Sequence, residues 1–194
     1  MAFKLRRPAC GPGGEIPLKY TGDGADLSPP LRWPGPPEGT KSFALTVDDR
    51  DDRSGIWVHW ALYGISGTIR ELPEGVPRQD TASGVGTQDL TDFGGVGDSG
   101  PRPPAHLYFF RLDALDTTLA LPRLRLKAEL LKAMAGHIES LAMCATPAAR
   151  PGTSRDSVQA LVLPGRHRRP VTSPMTPPGG PVECPSLAPW CTYP

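Results

Sequence analysis

Cysteine is scarce in this chain and never closely spaced: Cys10, Cys144, Cys184 and Cys191 are its 4, and no Cys-x-x-Cys occurs. A structural zinc knuckle and a thioredoxin-type redox motif are therefore unsupported. Long apolar runs are missing too. Nowhere do about 18 apolar residues stand together, the length a membrane-crossing helix needs. The N-terminal stretch holds Lys4, Arg6 and Arg7 but no apolar segment of secretory-signal length. The expected location is thus cytoplasmic, with no transmembrane segment. An excess of one charge is also absent, the formal net charge being +1. Residues 1–149 carry 16 Lys and Arg against 18 Asp and Glu, and residues 150–194 carry 5 against 2. The patterned part is slightly acidic, so nucleic acid is not an expected partner. Hydrophobic residues make up only 38% of the 194, whereas prolines number 25. That composition suits one folded domain with part of the chain left outside it.

Apolar alternation and β-rich runs at Ile16–Tyr20, Ser42–Val47, Ile56–Ile65 and Ala105–Leu115 are separated by Gly, Pro and Asp clusters. This pattern predicts an antiparallel β-rich domain of sandwich or Greek-key type. Residues 66–104 lack a strong period and are read as a long loop with short strands, placed to cover a pocket. Between Arg123 and Met143, Leu126, Leu130, Leu131, Met134, Ile138 and Leu141 recur at helical spacing, predicting one amphipathic helix packed on the sheet. Its Met and Leu stripe reads as core, and His137 as an interior or capping residue. Beyond Cys144 prolines recur to the last residue, which predicts a disordered or extended segment over residues 145–194.

Chemistry-bearing residues gather in two places. Asp48-Asp49-Arg50-Asp51-Asp52 is followed by Ile56-Trp57-Val58-His59-Trp60, and Gly100-Pro101-Arg102-Pro103-Pro104 leads into Ala105-His106-Leu107-Tyr108. Residues two apart on an extended chain point the same way. Asp49 with Asp51, and His106 with Tyr108, are therefore expected on common faces, with His59 arriving from the next strand and Pro103 and Pro104 stiffening a wall. A carboxylate that holds one nitrogen of a His favours its charged form, and the other N–H is left to donate to an anion. Two other motifs fail on context. Gly95-Val96-Gly97-Asp98-Ser99-Gly100 has dinucleotide-loop spacing, but Pro101, Pro103 and Pro104 forbid the helix that should follow. Ser99 lies in a protease-like Gly-Asp-Ser-Gly, yet no matching His segment exists.

The ordered series Gly14-Glu15-Ile16-Pro17, Tyr20-Thr21-Gly22-Asp23-Gly24-Ala25-Asp26-Leu27-Ser28-Pro29-Pro30-Leu31-Arg32-Trp33, Asp49-Arg50-Asp51, Trp57-Val58-His59-Trp60, Gly100-Pro101-Arg102-Pro103-Pro104 with His106 and Tyr108, and Met134-Ala135-Gly136-His137-Ile138 resembles the phosphatidylethanolamine-binding protein (PEBP) family, in its bacterial Raf kinase inhibitor-like branch. The resemblance covers roughly residues 3–143 and implies a PEBP-like domain over residues 1–144. It also implies a pocket for an anion or phospholipid head group formed by Asp49, Asp51, His59, Pro103, Pro104, His106 and Tyr108. The expected partner is a small anionic or phosphorylated ligand, with regulation of a kinase or protease as a further implication. No cofactor, resident metal or catalytic residue is expected. Metal-dependent hydrolysis by the His and Asp cluster, or a Pro-rich interaction module, are the alternatives. The chain departs from the family at Arg50 and Arg53, where Pro is usual, in the single residue between Pro104 and His106, and at Gly22 and Arg102, where bacterial relatives often carry Cys. The family's usual closing Tyr and Arg do not follow the helix, so residues from about Ala145 are read as an unrelated extension or a shifted reading frame.

Overall fold

Alternating apolar sequence becomes antiparallel strand along most of the chain. The computed structural model describes residues 2–10, 14–102, 106–122 and 127–147, which fall in one unit, Met1–Ser157. Pro103, Pro104 and the proline-rich segment from residue 148 onward lie outside the described residues. In order come a single 3-10 turn at Leu18–Tyr20, then β1 (Leu31–Arg32), β2 (Ser42–Asp49), β3 (Trp57–Ser66), β4 (Glu71–Leu72), β5 (Thr81–Ala82), β6 (Gly86–Gln88), β7 (Leu107–Leu115), helix α1 (Lys127–Met134) and β8 (Ile138–Pro147). Six strands form one sheet in the order β5-β6-β3-β2-β7-β8, and β1 pairs with β4 in a second. Every pairing is antiparallel. The mainly β architecture expected from the sequence is the one observed.

Strand β2 explains how the layers hold together, because all of it is buried. Phe43, Leu45 and Val47 join Leu31, Trp33 and Leu72 beneath the small sheet, whereas Ala44 faces Leu130 and Met134 of α1 on the other side. Burying each such large apolar side chain contributes roughly 1.5–3 kcal/mol. A polar tie crosses to the helix, where Lys127 Nζ meets Asp48 Oδ2 at 2.5 Å.

A β-bulge sets the position of His59. Val47 pairs with Trp60 and Asp48 with Val58, so His59 is the extra residue on β3. Such an insertion breaks the alternation and re-aims the side chain. The His59 carbonyl instead accepts the Ser99 N–H at 3.0 Å.

Two expected elements differ. Ile16–Tyr20 is not a strand. Ile16 N–H bonds the Pro147 carbonyl at 2.9 Å, and the chain then tightens as Tyr20 N–H returns to the Pro17 carbonyl at 2.9 Å. Of the expected helix over 123–143, residues 123–126 lie outside the described residues, and among the rest Lys127–Met134 is helical. Gly136 takes the left-handed conformation at φ 83°, and His137 N–H closes on the Met134 carbonyl at 3.0 Å, an ending that glycine permits. His137 is exposed and caps this corner, with Nδ1 2.8 Å from Asp116 Oδ1. From Ile138 the chain is a strand paired with β7 along its length. Ala142 and Thr146 turn inward while Leu141 and Met143 are 42% and 49% exposed, a period of two. The apolar residues at 138 and 141 matched helical spacing by coincidence. The strand runs on to Pro147, so residues 145–147 are part of the sheet.

Candidate functional site

Antiparallel pairing brings the end of β2 and the beginnings of β3 and β7 to the same end of the sheet, with Asp49 opposite both Trp57 and Tyr108. The segment after β6 closes the side. Asp92 binds Val58 twice, its Oδ2 accepting the Val58 N–H at 2.6 Å and its N–H donating to the Val58 carbonyl at 3.1 Å. This lays Phe93 edge-on to Trp57 and His59, with ring centroids 5.6 and 5.0 Å away. The result is a cleft of about 200 Å³ lined by Asp49, Asp52, Trp57, His59, Phe93, Arg102, His106 and Tyr108. The loop expected to cover a pocket supplies Phe93 and Arg102 to this wall.

Each carboxylate at the cleft is already engaged. Asp49, 4% exposed, accepts from His106 Nδ1–H at 2.6 Å through Oδ2 and from the Asp51 N–H at 2.9 Å through Oδ1. Asp51 points toward the start of β7, where its Oδ2 accepts the Leu107 N–H at 2.9 Å. It buttresses the site and does not line the cleft. Asp52 lines it instead, holding the Ser54 N–H at 2.8 Å and the Ser54 hydroxyl. These two Ser54 bonds lower the Asp52 pKa, with His106 and His59 adding smaller contributions.

The floor is uncharged. His59 is 3% exposed, and its ring packs edge-on to Tyr108 at 4.9 Å. Its Nδ1 lies 2.5 Å from the Ser99 carbonyl oxygen. A carbonyl only accepts, so Nδ1 carries the proton. Burial lowers the His59 pKa, against a smaller upward pull from the Ser99 bond and from Asp49 and Asp48. At neutral pH its Nε2 is therefore an acceptor. Tyr108 is held above the usual phenol range, first by burial and then by the charge of Asp49. Behind both lies Asp98, pushed up to about 8 by burial, which outweighs the attraction of Arg78. Asp98, His59 and Tyr108 share a void of about 10 Å³ with Ser99 and Phe110.

Of the residues singled out from the sequence, Asp49, His59, His106 and Tyr108 converge on the cleft. Asp52, Trp57, Phe93 and Arg102 were missed. Trp57 and Arg102 stood inside motifs already noted, but Phe93 sits in a segment without period. Ser99 follows the non-dinucleotide reading: no helix starts there, and its backbone holds His59 by two bonds. Among the described residues no group of 3 or more His, Cys, Asp or Glu is placed to hold a metal ion. Among them, too, no helix is long and apolar enough to cross a membrane.

An antiparallel β fold with a polar cleft at one sheet end is the arrangement set against known proteins. The sequence profile of the family described as phosphatidylethanolamine-binding protein matches residues 6–147, and the chain belongs to that family. It is 43% identical over 138 residues to a UPF0098 protein of Methanothermobacter thermautotrophicus, covering 70% of this chain and 91% of the relative. A UPF0098 protein of Aquifex aeolicus is 47% identical over 115 residues, 57% of this chain and 67% of the relative. Among solved structures, the PEBP homolog CT736 of Chlamydia trachomatis superposes with a TM-score of 0.70 at 34% identity, covering 77% of this chain and 98% of its own. E. coli YbcL, described as a new member of the mammalian PEBP family, follows with a TM-score of 0.69 at 30% identity, covering 75% and 97%.

Proposed function

We propose that this protein captures a small anionic or phosphorylated ligand in the cleft between the ends of β2, β3 and β7. One observation carries the reading: Asp49 spends its oxygens on His106 and the Asp51 N–H, so the imidazole is fixed through Nδ1 and its Nε2 is left for a ligand. The family to which the chain belongs supports the same class of activity. A cytoplasmic site of action is part of the proposal, in keeping with the free Cys10 and Cys144, since thiols persist in reducing compartments. Inhibition of a kinase or protease is implied by the resemblance alone, and no contact at the cleft favours it. The metal-hydrolase alternative gains no support from the donor set, because among the described residues no group of 3 or more His, Cys, Asp or Glu converges as metal ligands.

The test is a histidine-selective NMR titration with inorganic sulfate, whose charge is constant across neutral pH, and with phosphoethanolamine. Both His59 and His106 shift as sulfate is added, since both rings line the cleft. His106→Ala weakens binding about tenfold or more, the equivalent of one charge-assisted bond. Absence of a shift at both histidines in the parent protein would refute the assignment.

A further inference from the structure

We infer that Arg102 is the anion anchor of the cleft and the residue that selects compact oxyanions of the phosphomonoester kind, an inference that rests on the anion-binding reading above. Nothing in the family likeness supplies it. Among the lining side chains Asp49 and Asp52 already hold donors, and His106 shares its proton with Asp49. Neutral His59 offers only an acceptor at Nε2. Arg102 is the lining residue whose charge does not depend on pH.

Its guanidinium makes no ion pair among the described residues and stands over the Phe93 ring, 5.3 Å from the centroid. A stacked guanidinium keeps its in-plane N–H donors open, the geometry that binds a phosphate or carboxylate by two parallel bonds. The charge also stands close enough to His59 to help hold that imidazole neutral.

The arm that carries this charge lies in a slot. Gly22 is tied to the neighbouring backbone by its N–H to the Pro101 carbonyl at 2.8 Å. A Cβ placed at Gly22 would lie 2.8 Å from Arg102 Cγ and 2.9 Å from its Nε. Gly22 and Arg102 are thus one device: the missing side chain at one position lets the long side chain at the other cross it and reach Phe93. Any substituent at Gly22 must push a flexible arm aside without removing its charge.

That separation supplies the experiment. Inorganic phosphate and phosphoethanolamine are titrated into the parent protein and into Arg102→Gln, Arg102→Lys and Gly22→Ala, with His106 chemical shift reporting occupancy and calorimetry the affinity. Arg102→Gln loses about tenfold or more in phosphate affinity and flattens its dependence on salt. Arg102→Lys, a point charge without the fork, loses less. Gly22→Ala loses several-fold although every charge is retained, which separates positioning from bulk electrostatics. Equal losses for both probes assign recognition to the phosphate group alone; a larger affinity for phosphoethanolamine that also falls with Arg102→Gln adds a contact from its ammonium to Asp52. Parent-like phosphate binding by Arg102→Gln overturns the anchor while the cleft stands. Parent-like binding by Gly22→Ala overturns the slot, and a parent protein silent at both histidines overturns anchor and cleft together.

Discussion

Asp98→Asn should change how the stability of this fold depends on pH, with a sign that burial dictates. Asp98 is buried behind the cleft, and its pKa is raised from 3.8 to about 8, first by desolvation, with Arg78 opposing and Asp26 assisting. Arg78 is itself drawn to Asp26 at 2.7 Å, which leaves it a weak counterion for Asp98. Between those two pKa values the native state keeps a proton that the unfolded chain releases. Stability from this group is therefore full below about pH 4 and is lost as pH rises, at about 1.4 kcal/mol per unit. By pH 7 the loss reaches about 4 kcal/mol, and above about pH 8 it levels off because the native carboxyl ionises too. Against a typical folding stability of about 5–15 kcal/mol this is easily measured. Urea denaturation of parent and Asp98→Asn at about pH 5, 7 and 9 isolates the effect, since all other groups titrate alike in both. The variant's curve falls less steeply between pH 5 and 8. Parallel curves, with a difference constant within about 0.5 kcal/mol, would show that Asp98 ionises normally in its site.

His59 should act with the opposite sign. Burial lowers its pKa, so below about pH 6.5 the unfolded chain takes a proton that the native state refuses, and stability drops as pH falls toward the native value. His59→Asn removes up to about 1.4 kcal/mol per pH unit of that acid-side slope, measured by urea denaturation between about pH 4 and 7. Lys127→Met leaves Asp48 buried without its cation and costs about 3–5 kcal/mol in chemical denaturation, whereas adding Asp48→Leu recovers most of the loss. If the double variant is no more stable than the single one, the pair is not what holds α1 to β2.

Period-two alternation made β2, β3 and β7 legible, and with them the shared face of His106 and Tyr108. The same logic failed one residue beyond its domain. Asp49 ends β2, so the extended-chain rule no longer governs Asp51, whose carboxylate turns to the Leu107 N–H while Asp52 enters the cleft. Nor does alternation reveal the bulge at His59, because the partner strand's register creates it. In the helix, Leu130 and Met134 carried real helical spacing, but Gly136 at positive φ ended it. The apolar residues that followed obeyed the pairing demand of β7. Phe93 and Arg102 came from a segment whose shape is set by bonds to β3 and by the slot at Gly22, and tertiary contacts of that kind leave no period to read.

Four carboxylates crowd the end of β2 and the turn after it, an unpromising setting for an anion, and the resolution lies in where their oxygens go. Asp48 points to the opposite sheet face, as alternation requires, and meets Lys127 at 2.5 Å. Asp49 holds His106 and the Asp51 N–H, Asp51 holds the Leu107 N–H, and Asp52 holds Ser54. Donors within the fold thus satisfy these oxygens before a ligand arrives, and burial keeps His59 and Tyr108 uncharged beneath them. The cation that then faces the cleft is Arg102, set against the carboxylates of Asp49 and Asp52. Removing a donor therefore harms anion binding as surely as removing a ligand contact, because it returns an unsatisfied carboxylate to the site. On this argument Ser54→Ala, which touches no ligand, takes from Asp52 the hydroxyl bond while leaving the N–H bond, and weakens phosphate binding by several-fold, whereas Ser54→Thr, which keeps the hydroxyl, does not.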